Sequence, residues 1–472
     1  MLGKTRRVHF IGIGGIGMSG IAELLVNLGY RVSGSDARRT DLTDRLAQLG
    51  ITVHVGHAAS HVGNADVVVY SSAIRPDNPE MIDARQRHIP VIPRAEMLAE
   101  LMRLRSGIAV AGAHGKTSTT SMVALVLEQA GLDPTAVIGG KLSAFGSNAR
   151  LGRGEWMVVE ADESDRSFLR LSPTLAVITN LDREHMDAYG SYADLESAFV
   201  EFAGKVPFYG AVIACADDAP LRAILPRLTR RTVTYGIDHP EAQLVATDVV
   251  LEGFGSRCRL VLHDAHRAGE GQVLGDLRLQ VPGRHSVLNA LAAVAVALEL
   301  DVPFARMAEA LAGFRGADRR FQRVGEVNGV VVVDDYGHHP TEIAAVLAAA
   351  RAAQPTRIVL AFQPHRFTRT RDLMPEFART LATADAVVLT DIYPASEAPI
   401  PGVTIEALAA AIRAEHGTPV QVVPDLSALP SAVARLSRPG DLVITLGAGS
   451  IGGTAARVVV ALSAMTADGG TA

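Results

Sequence analysis

A lysine followed by two hydroxyl residues and preceded by closely spaced glycines makes the strongest chemical statement in this 472-residue chain. The stretch Ala109–Val123 reads AVAGAHGKTSTTSMV: an apolar run ending at Gly112, the turn Ala113-His114-Gly115, then Lys116-Thr117-Ser118 opening a helix-compatible segment. Backbone N–H groups of such a turn can curl around phosphate oxygens, and the helix N-terminus adds a favourable dipole. A lysine here reaches β- and γ-phosphates, and the hydroxyl behind it sits on Mg²⁺. Gly112 and Gly115 are closer together than the glycines of the common phosphate loop. The strand before and the helix after still give the context the motif requires, so residues Gly112 to Ser118 are expected to bind a nucleoside triphosphate.

A second glycine loop lies near the start. Gly12-Ile13-Gly14-Gly15-Ile16-Gly17 follows the expected strand Val8–Ile13, and Asp36 stands at the end of the next expected strand, Val32–Ser35. Taken literally this is a dinucleotide fingerprint with its ribose-binding acid. Physically it specifies only a diphosphate on a helix N-terminus, which NAD and a UDP-sugar both supply.

Carboxylates and histidines gather at the ends of later apolar runs. Trp156–Glu160 continues into Ala161-Asp162-Glu163-Ser164-Asp165, and Leu175–Thr179 into Asn180-Leu181-Asp182-Arg183-Glu184-His185-Met186-Asp187. Two such clusters beside a phosphate loop suit a metal–triphosphate site, because Mg²⁺ takes one or two protein carboxylates plus phosphate and water. Farther on, polar clusters follow Val330–Val333 (Asp334 to Pro340), Arg357–Phe362 (Gln363 to Arg369), Ala386–Thr390 (Asp391 to Tyr393) and Asp441–Leu446 (Gly447 to Gly452). Ligands of open α/β sheets bind outside the carboxyl ends of the strands, so these clusters support one another.

The elements that must carry these residues alternate. Short apolar runs and amphipathic patterns succeed each other throughout, which argues parallel, doubly wound sheets. The expected fold is α/β in three domains: a Rossmann-like sheet over 1–105, a central phosphate-loop ATPase-type α/β domain over 106–315, and a C-terminal Rossmann-like α/β domain over 316–472. Asn328-Gly329 between Val327 and Val330 predicts a hairpin. From Ala464 onward the small, polar tail is expected to be disordered. A net charge of −5 with both signs mixed gives no electrostatic case for nucleic acid or an anionic membrane. The run Arg227–Arg231 is short enough to be a solvated face. Cys215 and Cys258 stand far apart, outside any metal or disulfide spacing, which suits a reducing compartment. The basic start MLGKTRRVHFIGIGG breaks at Gly12 without a cleavage pattern, and no stretch is apolar enough to span a membrane. The expectation is a cytoplasmic protein.

The ordered motifs HFIGIGGIGMSGIAE, YSSAI, AGAHGKTSTT, EADESD, TNLDREHMD, PGRHSVLNA, RRFQ, VDDYGHHPTEI, FQPHRFTRT and LGAGSI resemble those of the Mur ligases over about residues 7 to 460. The resemblance, nearest to the alanine-adding members, implies an ATP-dependent ligase of peptidoglycan synthesis. In such an enzyme the lactyl carboxylate of UDP-N-acetylmuramate attacks the γ-phosphate of ATP, and the amine of L-alanine then displaces phosphate from the acyl phosphate. By the same resemblance, Gly12, Gly14, Gly15, Gly17, Asp36, Ser71 and Ser72 would hold the UDP-substrate, with Lys141 and Asn148 on its muramoyl side. Gly112, Ala113, His114, Gly115, Lys116, Thr117 and Ser118 would hold ATP, with Asn289 toward adenine and Asp335 toward ribose. Thr117, Glu160 and His185 would bind Mg²⁺ or Mn²⁺, with Glu163 the substitute for Glu160, and Asp162 and Asp187 in reserve. Lys116, Arg320 and His338 would act at the transferred phosphoryl group, and Arg366 and Arg369 on the carboxylate of L-alanine. Arg371 would be a bystander. Sibling ligases carry a carbamylated lysine where this chain has Ser197 to Phe202, without a lysine until Lys205. Glu201 is the alternative there. The partners implied are small molecules, with no nucleic acid or membrane, in a monomer or weak homodimer. A hinge is expected around Gly313–Phe321.

Three rival readings stay open on sequence. An NAD-dependent oxidoreductase would use the first glycine loop with Asp36. A non-catalytic phosphate-loop switch would use Lys116 and Thr117. A recycling ligase would share the chemistry but attach a whole peptide.

Overall fold

The structure is a computed structural model that describes residues 3–71, 73–142, 147–186, 188–263 and 271–469. Ser72, Asp187 and the side chain of Lys141, all named above, lie outside what is described. The chain forms two compact units, one of Met1–Asp248, Cys258–Leu277 and Leu288–Phe314, the other of Val249–Arg257, Arg278–Val287 and Arg315–Ala472.

The first sheet consists of β1 (Arg7–Ile11), β2 (Arg31–Asp36), β3 (Thr52–Val55), β4 (Val67–Tyr70) and β5 (Val91–Pro93), in the order β3-β2-β1-β4-β5. All neighbours are parallel. β4 is a short apolar run, as a strand buried on both faces of a parallel sheet requires, whereas β2 (RVSGSD) buries small polar residues between Val32 and Asp36. β1 is the switch point, with β2 on one side and β4 on the other. The glycine loop that leaves β1 therefore opens into the crevice where such sheets bind ligands.

The second sheet holds β6 (Ser106–Ala111), β7 (Thr135–Leu142), β8 (Ser147–Arg150), β9 (Trp156–Glu160), β10 (Leu175–Ile178), β11 (Ala211–Cys215), β12 (Thr232–Gly236), β13 (Leu244–Glu252), β14 (Gly255–Leu262) and β15 (Gln272–Leu279). The order is β15-β14-β13-β12-β11-β10-β6-β9-β7-β8. β6 lies between β10 and β9 and is parallel to both. The segments after all three strands therefore emerge on one edge, which brings the phosphate loop, EADESD and TNLDREH together. Behind that edge the helices Lys116–Gln129 and Arg284–Leu298 are buried nearly all round, Val123 to Leu127 and Ala290 to Ala297 lying at 6% exposure or less. That burial accounts for the apolar composition of both helices.

The third sheet comprises β16 (Gln322–Val327), β17 (Val330–Asp335), β18 (Arg357–Phe362), β19 (Ala386–Leu389), β20 (Val420–Val422) and β21 (Asp441–Leu446), in the order β16-β17-β21-β18-β19-β20. Side chains alternate across it as strand geometry demands. Ile358, Leu360 and Phe362 pack with Leu347 and Phe377 on one face, while Val359 and Ala361 pack with Val433 and Val458 on the other. β16 and β17 form the expected hairpin, Val327 opposite Val330. Asn328 and Gly329 have φ of 54° and 73°, the left-handed pair a two-residue turn needs. The tail corrects one expectation over the described residues: the last helix runs from Thr454 to Gly469, into the segment expected to be disordered. Its ALSAMTA continues the alanine-rich helical composition, which outweighs the small polar residues beyond.

Candidate active site

The phosphate loop is closed by contacts that only glycine permits. Gly115, at φ 82°, caps the Lys116–Gln129 helix, and a β-carbon there would lie 2.7 Å from Oδ1 of Asn289. Asn289 is buried and accepts from Thr119 Oγ1 at 3.1 Å, so the residue expected near adenine is pinned to the loop's own helix. His114 N–H donates to Asn180 Oδ1 at 2.8 Å, and the His114 carbonyl accepts from Thr179 Oγ1 and Asn180 Nδ2. The loop after β10 thereby fixes the loop after β6. The His114 ring meets Asp182 through Nε2 at 2.8 Å.

Lys116 spans the turn. Its Nζ donates to the carbonyls of Gly112 (2.6 Å) and Ala113 (3.0 Å) and to Glu163 Oε1 (2.9 Å). Thr117 Oγ1 donates to the Glu160 carboxylate at 3.0 Å, and Glu160 also accepts from Gly139 N–H at 2.8 Å. His185 Nε2 stands 3.7 Å from Glu163 Oε1. The expected metal ligands therefore fall into two adjoining pairs around Lys116, Thr117 with Glu160 and His185 with Glu163. A hydroxyl beside a carboxylate is the hard-oxygen donor set Mg²⁺ takes, so these residues fit that ion. Burial pushes the Glu163 carboxyl up to about 7 despite the opposing pull of Lys116. Burial alone would lower Lys116, but Glu163, Asp162 and Glu160 together hold it above the ordinary lysine value. Glu201, the alternative for the missing lysine, is half exposed and pairs with Lys205 one helical turn on, at 3.1 Å.

On the first sheet, Gly15 precedes the Ile16–Asn27 helix, and Gly12 takes φ 81°. Asp36 does not stand free: its Oδ2 accepts Gly14 N–H at 2.8 Å and its Oδ1 accepts Arg38 N–H at 3.3 Å. Ser71 packs against Gly12, its Cβ 3.2 Å from where a Gly12 β-carbon would stand. Asn148 reaches the same helix, Nδ2 donating to the Ile16 carbonyl and, at 3.2 Å, to Ser19 Oγ. Sequence reasoning missed two features here. Arg94, at the start of the helix after β5, contacts Asp162 at 3.4 Å. Glu80, fully buried, takes hydrogen bonds from His9 (2.6 Å), Ser35 (2.9 Å) and His57 (3.0 Å). A glutamate in NPE and two histidines far from it in sequence carry no local signal.

In the second unit the four polar clusters meet at one sheet end. Asp335 is buried, accepting Phe321 N–H (2.6 Å) and Gly337 N–H (2.7 Å); burial raises it to about 6 against the pull of Arg320. Arg319 and Arg320 both lie over the Tyr336 ring, at 5.2 and 5.1 Å. Arg319 is the brace, tied to Asp334 and the Gly447 carbonyl, whereas Arg320 stands 3.7 Å from Glu342. His338 lies 5.5 Å from His365, which stacks on Tyr393 at 5.4 Å. Arg366 N–H donates to the Tyr393 carbonyl, and Arg369 Nη1 lies 3.3 Å from His365 Nδ1. Burial, then His338 and the two arginines, drives His365 down to about 3, so it is neutral at physiological pH. Gln363 joins the loops after β18, β19 and β21 through the Asp391 carbonyl, Ser450 and Ile451 N–H. Arg371 is exposed and paired with Asp372.

Three family models match the chain: the Mur ligase family catalytic domain over residues 7–106, the Mur ligase middle domain over 110–297, and the Mur ligase glutamate ligase domain over 319–449. The UDP-N-acetylmuramate–L-alanine ligase of Geobacter sulfurreducens is 55% identical over 453 residues, covering 96% of each chain. That of Myxococcus xanthus is 55% identical over 451 residues, covering 95% of this chain and 94% of its own. The crystal structure of the UDP-N-acetylmuramate–alanine ligase of Thermotoga maritima superposes with a TM-score of 0.82 at 30% identity, covering 97% of this chain and 99% of that one. A phosphate loop with its lysine and a threonine–carboxylate pair on one edge, a diphosphate-type glycine loop on the preceding sheet, and relatives alike from end to end together mean that this chain belongs to the Mur ligase family.

Proposed function

We propose that the protein joins L-alanine to the lactyl carboxylate of UDP-N-acetylmuramate at the expense of ATP, giving ADP and phosphate in peptidoglycan synthesis. The observation that carries this reading is the identity to alanine-adding ligases along the whole chain, with Lys116, Thr117 and Glu160 assembled on one sheet edge. The domains run over 1–105 for the UDP-substrate, 106–315 for ATP and 316–472 for closure on ATP and the amino acid, a division supported by three family models over 7–106, 110–297 and 319–449. The protein works in the cytoplasm as a monomer or weak homodimer on small molecules; among the described residues no helix is long and apolar enough to cross a membrane.

The chemistry follows from charge. A carboxylate is a poor acyl donor, and it must approach a triphosphate that is also anionic. Lys116 offsets that repulsion when it exchanges the Gly112 and Ala113 carbonyls for phosphate oxygens. Thr117 and Glu160, with His185 beside Glu163, would hold Mg²⁺, which supplies further charge compensation at the phosphates. The backbone N–H groups of Gly112 to Ser118 orient the triphosphate. Arg320 and His338 serve the phosphoryl group, and Asp335 the ribose. Arg366 and Arg369 take the carboxylate of the amino acid, leaving its amine to attack the acyl phosphate.

Phosphate release from ATP, measured with UDP-N-acetylmuramate and each of several amino acids, tests the reading. L-Alanine is expected to give the fastest turnover. Preference for a peptide over L-alanine would make the protein a recycling ligase, and micromolar NAD binding without response to UDP-N-acetylmuramate would overturn the ligase assignment of the first sheet.

A further inference from the structure

Arg94 stands where the two anionic substrates of the proposed reaction adjoin. The residue opens the Arg94–Met102 helix directly after β5, so its backbone is fixed by the first sheet. Its guanidinium lies over the first turn of the Ile16–Asn27 helix: a β-carbon on Gly17 would stand 2.8 Å from Nη1 and 3.2 Å from Cδ. The last glycine of the G-x-G-x-x-G loop thus makes room for a cation beside the helix N-terminus expected to receive a diphosphate. The same guanidinium reaches Asp162 through Nη2 at 3.4 Å. Asp162 belongs to the segment that carries Glu160 and Glu163, and its charge acts on Lys116. A second ion pair joins the two segments, Arg170 to Glu96 at 3.1 Å.

We propose that Arg94 is a positioning residue shared by both substrates, one edge of its guanidinium engaging the diphosphate of the UDP-substrate while the other stays on Asp162. The planar guanidinium suits this because its N–H groups diverge and can serve two anions at once, whereas an ammonium acts as a point charge. UDP-substrate binding then steadies the Glu160–Glu163 segment beside Lys116, and the two sites bind cooperatively. By linkage the effect is reciprocal. This inference rests on the UDP-substrate reading of the first glycine loop.

Calorimetric titration of the full-length protein with UDP-N-acetylmuramate, with and without the Mg²⁺ complex of a non-hydrolysable ATP analogue, reads the coupling as a ratio of Kd values. The wild-type ratio is expected to be about fivefold or more. Arg94→Met should bring it near unity and raise the KM for UDP-N-acetylmuramate, while the KM for L-alanine stays within about twofold of wild type, since removing one guanidinium from the diphosphate leaves the amino-acid arginines untouched. Arg94→Lys, which keeps the charge and the fold, should recover affinity for the UDP-substrate without recovering the coupling. Asp162→Asn should abolish the coupling yet leave the Kd for UDP-N-acetylmuramate alone nearly unchanged. Coupling that persists in Arg94→Met, or that survives Asp162→Asn, overturns the inference. A wild-type protein that fails to bind UDP-N-acetylmuramate, or whose binding is indifferent to Gly14→Val, overturns the underlying reading, and the inference with it.

Discussion

Glu80 should be the most costly single carboxylate to remove outside the reacting groups. It is fully buried at the start of the Pro79–Gln86 helix and accepts from His9 on β1, Ser35 on β2 and His57 after β3. His61 stands 3.7 Å from the same carboxylate and stacks on His54 at 4.2 Å. Glu80→Ala leaves the His9 and Ser35 donors buried without their acceptor, at about 1–3 kcal/mol each. Breaking a buried charged pair by deleting one partner costs about 3–5 kcal/mol, and the two figures agree. Burial alone would raise this carboxyl, but the hydrogen bonds from His9, Ser35 and His57 bring it below its ordinary 4.5. A carboxyl depressed in the folded state contributes stability that is present above its unfolded value and lost as pH falls through its folded one. The stability gap between wild type and Glu80→Gln should therefore be full at pH 7 and close progressively below about pH 4.5. Urea unfolding across pH, with hydrogen exchange at the β1 and β2 amides, measures it. Because His9 and Ser35 flank the origins of Gly12 and Asp36, the KM for UDP-N-acetylmuramate should rise as well. A loss under about 1 kcal/mol in Glu80→Ala at pH 7, or a gap that widens in acid, would refute the reasoning.

Three further outcomes are expected. Lys116→Ala should abolish turnover while leaving UDP-N-acetylmuramate binding, followed by calorimetry, nearly intact. Glu163 is raised to about 7 by burial, so it is neutral at low pH and must be charged in a buried site as pH climbs. Its contribution is thus favourable below its unfolded pKa and is lost as pH rises through about 7, and Glu163→Gln should flatten the fall in thermal stability over that window. Arg366→Lys should raise the KM for L-alanine about tenfold, equivalent to ~1.4 kcal/mol, by losing the guanidinium fork, with Arg371→Ala near neutral and the KM for ATP unchanged in both.

What was legible in the sequence was whatever local pattern decides. Parallel strands buried on both faces write themselves as apolar runs, and Asn328-Gly329 can hardly be anything but a tight turn. The strand, glycine turn and helix around Gly112 to Lys116 were equally plain, since the glycines break the apolar run just before the helix opens. Pairings across long sequence separations were not legible. Arg94 follows β5 of the first sheet and Asp162 follows β9 of the second, while Glu80 lies in the helix after β4 and His9 in the middle of β1, so both meetings depend on tertiary packing. Neither Arg319 nor Arg320 announced which would brace the loop; it is Arg319 that reaches Asp334 and the Gly447 carbonyl.

The first glycine loop shows how one motif serves two chemistries. A dinucleotide-binding acid at the end of β2 must offer its oxygens to a ribose diol. Here Asp36 Oδ2 accepts Gly14 N–H and Oδ1 accepts Arg38 N–H, so it helps shape the loop while each oxygen keeps a lone pair for a ligand. The N-terminus of the Ile16–Asn27 helix keeps what the proposed diphosphate site needs, because its orphan N–H groups and dipole do not depend on that acid. Beside it lie Arg94, which adds a positive charge, and Asn148, which ties the second sheet's Ser147–Arg150 hairpin strand to the same helix turn. Arg94 in turn contacts Asp162, in the segment whose Glu163 holds Lys116, an arrangement that suits the proposed sugar nucleotide awaiting phosphorylation and that a hydride carrier has no use for. The distinction lies in what surrounds the glycines, and the motif by itself could not draw it.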